Sequence, residues 1–394
     1  MSSTSTSTST SQRAPLAIVT LLFFMWGLLT ALNDVLIPHL KALYTLSYLQ
    51  AMLVQFCFFG AYFLVSLPAG RLIQRLGYQR GAVVGLGVAA AGCLLFLPAV
   101  SAGYWLFLTG FFVLAAGITV LQVAANPYVA ALGDPQTASS RLTLTQAFNS
   151  LGTAIAPMLG VLILPAGASG VQGPYLLLAG ALALLAVLFG RAKLPHIAEE
   201  QTSVTESAWT VARSHSHLFW GVVSIFLYVG AEVCIGSLLI NFMVEAAGLS
   251  AEQATQHLSL YWGGAMVGRF IGVVLMRFVA PGALLAINAT LAVLLVLAAV
   301  FGHGEPAMWA LLAVGLCNSI MFPTIFSMAV HRLGAHTAQG SGLLCMAIVG
   351  GAILPLLQGH AADALGLQPS FVIPALCYAG IAAYGWRLRR LFND

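Results

Sequence analysis

Two acidic side chains stand inside long apolar stretches of the chain. Asp34 lies in the first stretch, near residues 15–40, and Glu232 lies midway along the seventh, near residues 217–244. A charge at the centre of a bilayer costs on the order of 3 kcal/mol on insertion scales, so such residues usually mark the path of an ion or a substrate. We predict that Asp34, and with it Glu232, binds a coupling cation, either a proton or a sodium ion. The alternative for each carboxylate is a structural hydrogen bond to a neighbouring helix.

Amides and hydroxyls recur at helical spacing within neighbouring apolar runs. Gln122 and Asn126 stand four residues apart, and Gln146, Asn149 and Thr153 share one helix face. A side-chain amide donates and accepts hydrogen bonds, as the hydroxyls of a neutral polyol do. These faces therefore predict a wet, amide-lined cavity for a neutral sugar. The alternative is hydrogen bonding between helices, worth about 0.6–1 kcal/mol for each residue.

Aromatic and polar residues of the second half complete the predicted site. Tyr228 and Trp262 could stack on a sugar ring, although aromatic residues more often simply pack helices together. Asn241 and Asn318 offer further amides. The predicted substrate-binding residues are Asn33, Gln122, Asn126, Gln146, Asn149, Tyr228, Asn241, Trp262 and Asn318.

The elements that must position these residues are membrane helices. Of the 394 residues, 60% are apolar and only 7% are charged. A soluble domain carries roughly 25% charged residues, so this composition excludes a soluble enzyme. Twelve apolar runs follow one another, each too long for a strand of a membrane barrel and without its alternation. The runs lie near residues 15–40, 49–74, 80–100, 104–131, 140–164, 173–190, 217–244, 255–279, 282–302, 307–331, 337–361 and 370–391.

One polar stretch, residues 191–216, separates six runs from six. Two packed bundles around a central cavity are typical of transporters built from repeats. We therefore predict an all-α polytopic membrane protein with twelve transmembrane helices in two six-helix bundles. The predicted regions are a disordered tail at 1–14, an N-terminal bundle at 15–190, a cytoplasmic linker at 191–216, and a C-terminal bundle with a short tail at 217–394.

The basic residues indicate how the chain is oriented. With both termini in the cytoplasm, Lys41 alone among the 15 Lys and Arg residues faces outward. Cytoplasmic loops of membrane proteins carry this excess of positive charge. We therefore predict a multi-pass protein of the plasma (inner) membrane, and the net charge of +4 gives no reason to expect nucleic acid. The six cysteines lie in apolar runs without metal-ligand spacing, and we predict neither a metal nor a cofactor.

The segment that joins the second and third runs, residues 70–80, resembles the inter-helix signature of the major facilitator superfamily. That signature combines glycines, which permit a tight turn, with arginines at helix ends, and Gln74 stands here at its acidic position. A similar arrangement occurs at the matching position of the second half. The residues predicted to form this structural motif are Gly70, Arg71, Arg75, Gly77, Arg80, Gly268 and Arg269.

Five further segments are similar to the fucose–galactose–glucose:proton symporter family within that superfamily. They are Asn33-Asp34, residues 121–129 (LQVAANPYV), 141–152 (RLTLTQAFNSLG), 228–233 (YVGAEV) and 318–324 (NSIMFPT). The fucose permeases of that family carry a glutamate at the position of Gln122, whereas its glucose/galactose branch carries the glutamine form. The resemblance therefore implies the major facilitator fold and an aldohexose substrate, with glucose or galactose ahead of fucose.

These observations predict a secondary active transporter that imports a neutral hexose by alternating access, coupled to a proton or a sodium ion. The alternatives are a passive uniporter, a symporter for another sugar such as fucose or mannose, and a drug–proton antiporter, for which residues 152–160 offer a partial pattern. A membrane enzyme would need a nucleophile–base pair or a metal cluster, and the sequence offers neither. We expect a monomer in the lipid bilayer, whose partners are the sugar and the cation.

Overall fold

The computed structural model describes residues 14–31, 48–163, 172–195 and 207–391, and within these ranges the chain is helical and contains no strand. Asn33 and Asp34 lie outside the described residues. So do residues 1–13 of the predicted tail and 196–206 of the predicted linker.

The helices follow one another in chain order with short connections. They are α1 (Ala14–Ala31), α2 (Tyr48–Leu76), α3 (Tyr78–Ala102), α4 (Tyr104–Ala131), α5 (Ala138–Ile163), α6 (Gln172–Arg191), α7 (Ala208–Ser214), α8 (Ser216–Ala247), α9 (Ala251–Leu275), α10 (Pro281–Phe301), α11 (Gly304–Asn318), α12 (Met321–Ala329), α13 (Thr337–Met346), α14 (Gly350–Leu365), α15 (Leu367–Ser370) and α16 (Val372–Arg387).

Eleven segments of the described chain are long and apolar enough to cross a membrane. Three of them combine two short helices: α11 with α12 over Gly304–Ala329, α13 with α14 over Gly334–Leu365, and α15 with α16 over Leu367–Arg387. Helix α5 has 26 residues and adds the twelfth long segment. The prediction of twelve helices is therefore confirmed. These segments are long enough to cross a membrane, because a helix needs about 20 residues to span the hydrocarbon core.

The described chain packs into two compact units. Unit 1 combines Met1–Asp134, Phe148–Ala208 and Arg332–Met346, so it contains α1–α4, the later part of α5, α6 and α13. Helix α13 packs closely on α2. A Cβ added at Gly70 of α2 would lie only 2.8 Å from the carbonyl oxygen of Ala338 on α13. The Ser341 hydroxyl donates a hydrogen bond of 2.9 Å to the carbonyl oxygen of Val123 on α4.

Unit 2 combines Pro135–Ala147, Trp209–His331 and Ala347–Asp394. It therefore contains the first part of α5 together with α7–α12 and α14–α16. The hydroxyls of Ser139 and Ser327 lie 2.6 Å apart and join the start of α5 to α12. Each unit thus takes one segment from the other half of the sequence, and the domain boundaries given above remain a prediction.

Candidate functional site

A cavity of about 210 Å³ lies inside unit 1. Its polar groups come from α1 (Thr30), α2 (Tyr62) and α5 (Asn149 and Thr153). Its described lining residues are Trp26, Thr30, Ala31, Phe58, Tyr62, Phe111, Leu114, Ala115, Ile118, Asn149 and Thr153. None of these described side chains is ionisable at neutral pH, so the described wall of the cavity suits a neutral ligand.

Close packing of α1 on α5 positions the amide side of this cavity. A Cβ added at Gly27 would overlap the carbonyl oxygen of Asn149, and one at Gly152 would overlap that of Phe24. Because the two backbones touch, the Asn149 amide donates a hydrogen bond of 2.9 Å to the carbonyl oxygen of Phe23. The predicted face of Asn149 and Thr153 is therefore presented to the cavity.

Helices α2 and α4 build another part of the cavity wall. The Tyr62 hydroxyl donates a hydrogen bond of 2.8 Å to Oε1 of Gln122. Tyr62 is only 4% exposed and Gln122 only 7%. The ring of Phe58 lies 5.3 Å from that of Tyr62 and 6.3 Å from that of Phe111, measured between centroids, which gives the cavity an aromatic wall.

Tyr62, Phe58 and Trp26 are not among the site residues predicted from the sequence. The spacing of Phe58 and Tyr62, four residues apart in an apolar run, places both on one helix face. A tyrosine inside a membrane helix needs a hydrogen-bond partner for its hydroxyl, and this requirement indicates a polar neighbour for Tyr62. Because apolar aromatic residues are common in such helices, the pattern alone did not separate a cavity wall from packing.

Unit 2 contains a closed group of polar side chains, which we call the Asn318 cluster: Tyr228, Glu232, Tyr261, Asn318 and Tyr378. The Tyr228 hydroxyl donates to Oε1 of Glu232 at 2.8 Å. Nδ2 of Asn318 donates to the Tyr261 hydroxyl at 2.8 Å, and the Tyr378 hydroxyl donates to Oδ1 of Asn318 at 2.7 Å. Both ends of the Asn318 amide are therefore occupied by protein groups.

Arg269 adjoins this cluster on α9. Its Nε donates a hydrogen bond of 3.1 Å to the carbonyl oxygen of Ser319, and its charge attracts the part-buried carboxylate of Glu232. Gly268 permits the approach, since a Cβ there would lie 2.6 Å from the Ser319 hydroxyl oxygen. The second-half copy of the predicted motif therefore lies beside Glu232, the carboxylate predicted to bind a cation.

The remaining predicted site residues occupy different environments. Asn126 is fully buried and Gln146 is 8% exposed, whereas Asn241 and Trp262 are exposed. Gln146 belongs to unit 2 and Asn149 to unit 1, although both stand on α5. The sugar-binding roles of the predicted residues remain predictions.

The first copy of the predicted motif forms the connection between α2 and α3. Gly77 adopts a φ of 79°, which an L residue rarely takes, and the chain turns there. Gly70 is buried against α13, whereas Arg71, Arg75 and Arg80 are exposed. Gln79 donates hydrogen bonds to the carbonyl oxygens of Phe189 and Ala192, at 2.8 and 2.9 Å, and ties this connection to the end of α6.

Comparisons with known proteins agree with this architecture. The "Major Facilitator Superfamily" pattern matches residues 19–347. The "Glucose/galactose transporter" of Brucella abortus is 56% identical over 97% of this chain and 96% of its own length. The "L-fucose-proton symporter" of Escherichia coli is 35% identical over 93% of this chain and 91% of its own length.

A solved structure extends the agreement to the fold. The crystal structure of the transporter FucP in the outward conformation matches with a TM-score of 0.90 at 33% identity, covering 96% of this chain and 99% of FucP. The resemblance inferred from residues 70–80 and from the five further segments is thereby confirmed, as is the prediction of a multi-pass membrane protein. The chain belongs to the Major Facilitator Superfamily.

Proposed function

We propose that the protein is a secondary active transporter that imports a neutral hexose of the glucose/galactose class. The observation that carries this proposal is the cavity in unit 1, where hydroxyl and amide groups face an aromatic wall. Its volume of about 210 Å³ is below the roughly 300 Å³ at which pockets for drug-sized ligands begin. A single sugar ring suits this size, with hydroxyls for the polar side and an apolar face for Phe58 and Phe111.

The two relatives support glucose or galactose over fucose. The one named a glucose/galactose transporter is 56% identical to this chain, against 35% for the one named an L-fucose-proton symporter. Gln122 agrees with the form that the sequence resemblance assigns to the glucose/galactose branch. Fucose or mannose transport remains the second candidate, because the fucose symporter covers nearly the same length.

Coupling to a cation rests on a different part of the chain. Asp34 is the carboxylate that we propose as the first coupling residue, and Glu232 is the second. The name of the E. coli relative includes the proton, which supports a proton as the coupling ion. A cation drives accumulation when it favours the same state of the transporter that binds sugar well.

The protein is proposed to act as a transporter and not as an enzyme, since the relatives are named for transport. We further propose that it works as a monomer in the inner membrane, with both termini in the cytoplasm. The distribution of basic residues supports this orientation. Cysteine labelling of residues 12 and 392 in intact and opened cells measures it, and labelling of either position in intact cells would reverse the proposal.

Counterflow in proteoliposomes tests the substrate. Vesicles loaded with glucose should take up labelled glucose, and external galactose should compete more strongly than mannose or fucose. A vesicle without protein provides the baseline. If no hexose exchanges or competes, the proposed function is wrong; binding without exchange would instead indicate a sugar sensor.

Three variants test the coupling. Asp34→Asn should abolish uphill accumulation and retain counterflow, because exchange needs no net cation movement. Glu232→Gln keeps an acceptor for Tyr228 and should reduce accumulation less. Asp363→Asn, on an exposed residue of α14, is the matched control and should accumulate normally. Intact accumulation by Asp34→Asn would remove Asp34 from the coupling step, and measurements with and without sodium at fixed pH distinguish the two ions.

A further inference from the structure

We propose that the cavity of unit 1 recognises its sugar through the hydroxyl hydrogens of the sugar, because the polar side chains of its described lining present mainly acceptors. This inference rests on the proposed function and deepens it. Ligands without such hydrogens are rejected, and Gln122 has a positioning role behind the cavity wall.

The first two acceptors are threonine hydroxyls. Oγ1 of Thr30 donates its hydrogen to the carbonyl oxygen of Trp26 at 2.8 Å. Oγ1 of Thr153 donates to the carbonyl oxygen of Asn149 at 3.1 Å. A hydroxyl has one hydrogen and two lone pairs. Since both hydrogens are held by the helix backbone, each oxygen offers a lone pair to the cavity.

The other two acceptors are Tyr62 and Asn149. The hydrogen of the Tyr62 hydroxyl is held by Oε1 of Gln122, so its oxygen is left to accept. Nδ2 of Asn149 donates to the carbonyl oxygen of Phe23. A backbone carbonyl only accepts, so the Asn149 amide must place its nitrogen there and keep Oδ1 for another partner. Among the described lining side chains, the second Nδ2 hydrogen of Asn149 and the indole of Trp26 are the remaining donors.

A ligand that fits this wall must bring hydrogens. Sugar hydroxyls supply one hydrogen for each oxygen. An ionised carboxylate supplies none. In the cavity it would lose its hydrating water and face the lone pairs of the acceptor side chains, and leaving a charged group unpaired in this way is costly. The cavity should therefore accept aldohexoses and reject the corresponding uronates, even though the two differ at a single carbon.

Gln122 sets the polarity of Tyr62. The lining residues include Tyr62 and not Gln122, so Gln122 acts through the tyrosine. Replacing the amide by a thioether of similar length, in Gln122→Met, removes the strong acceptor for the Tyr62 hydrogen. The hydroxyl is then able to donate into the cavity. Gln122 is therefore a positioning residue, and its loss should change which ligands bind.

Competition against glucose counterflow tests the proposal. The competitors are glucuronate and the analogues of glucose in which one hydroxyl at a time is replaced by hydrogen (deoxy) or by fluorine (deoxyfluoro). Fluorine accepts weakly and cannot donate, so at one or more positions the fluoro analogue should be as weak as the deoxy analogue, both roughly tenfold weaker than glucose. Glucuronate should not compete. Fluoro analogues that bind like glucose at every position, or competition by glucuronate, would overturn the inference.

Two variants sharpen the result. Gln122→Met should improve one fluoro analogue several-fold relative to its deoxy partner, and Tyr62→Phe should raise the KM for glucose with little change in maximal rate. Tyr128→Phe is the control, because its hydroxyl donates to the carbonyl oxygen of Pro195 and does not line the cavity. An unchanged analogue profile in Gln122→Met, or an unchanged KM in Tyr62→Phe, contradicts the inference. Failure of glucose itself to exchange in the unmodified protein contradicts the proposed function instead.

Discussion

Unit 1 and unit 2 each place a tyrosine and an asparagine inside apolar helices, as Tyr62 with Asn149 and as Tyr378 with Asn318. In unit 1 these side chains bond to neighbours on one side and face a cavity on the other. In unit 2 the asparagine bonds to two tyrosines and is 1% exposed. The same residue types therefore line a cavity in one unit and bond to one another in the other.

The difference shows how to separate binding from packing in membrane helices. Polar groups in an apolar environment must find partners, because leaving one unpaired costs about 1–3 kcal/mol. Where a buried amide has a protein partner at both its nitrogen and its oxygen, as Asn318 does, we expect it to hold helices together. Where lone pairs remain beside open space, as at Tyr62 and Thr153, a ligand can donate hydrogen bonds to them. Substitutions in both units test this difference.

The largest effect is expected from Gly27→Ala in unit 1. The added methyl group would overlap the backbone carbonyl of Asn149, so α1 and α5 would have to separate and the cavity wall would move. Overpacking of this kind costs about 1–3 kcal/mol, and we expect at least a roughly tenfold loss of glucose uptake. Uptake normalised to the amount of protein in the membrane measures this effect.

A matched glycine serves as the control for that substitution. Gly60 on α2 has open space around its missing Cβ, so Gly60→Ala should transport at the normal rate. Normal uptake by Gly27→Ala would show that the close approach of α1 and α5 does not shape the binding wall.

An intermediate effect should distinguish the two asparagines. Asn149→Ala should raise the KM for glucose about tenfold, because it removes an acceptor that a ligand uses, and should cost about 1 kcal/mol of stability through the lost hydrogen bond to Phe23. Asn318→Ala should lower the thermal midpoint in detergent and leave the KM unchanged, because it strips two buried tyrosines of a partner. If Asn318→Ala raises the KM at unchanged stability, the predicted role of Asn318 in sugar binding is supported. The two asparagines would then not differ in the way described above.

The smallest effect is expected from Tyr378→Phe. This change removes one hydrogen bond to Oδ1 of Asn318 and keeps the ring, so the loss should be about 1 kcal/mol. Thermal unfolding should therefore move less than in Asn318→Ala. An equal or larger shift would mean that the cluster is not held together by the asparagine.

Much of the fold could be predicted because it follows from composition. Apolar runs of membrane-spanning length predict helices wherever they occur, and the glycines and arginines of residues 70–80 predict a turn, which Gly77 provides. The candidate site was predicted only in part. Asn149 and Thr153 share a face by helical spacing, whereas the pairing of Tyr62 with Gln122 joins residues 60 positions apart. Spacing along one helix contains no information about which helix lies beside it.

Residue types and their local order were enough to predict the membrane environment, the number of helices, the family and the positions of two carboxylates in apolar runs. Which polar residues face open space depends on how the helices pack, as does the packing of α13 in unit 1 and of the start of α5 in unit 2. Small residues such as Gly27 and Gly70 let particular backbones touch. Those contacts determine which donors and acceptors find a protein partner and which are left for a ligand.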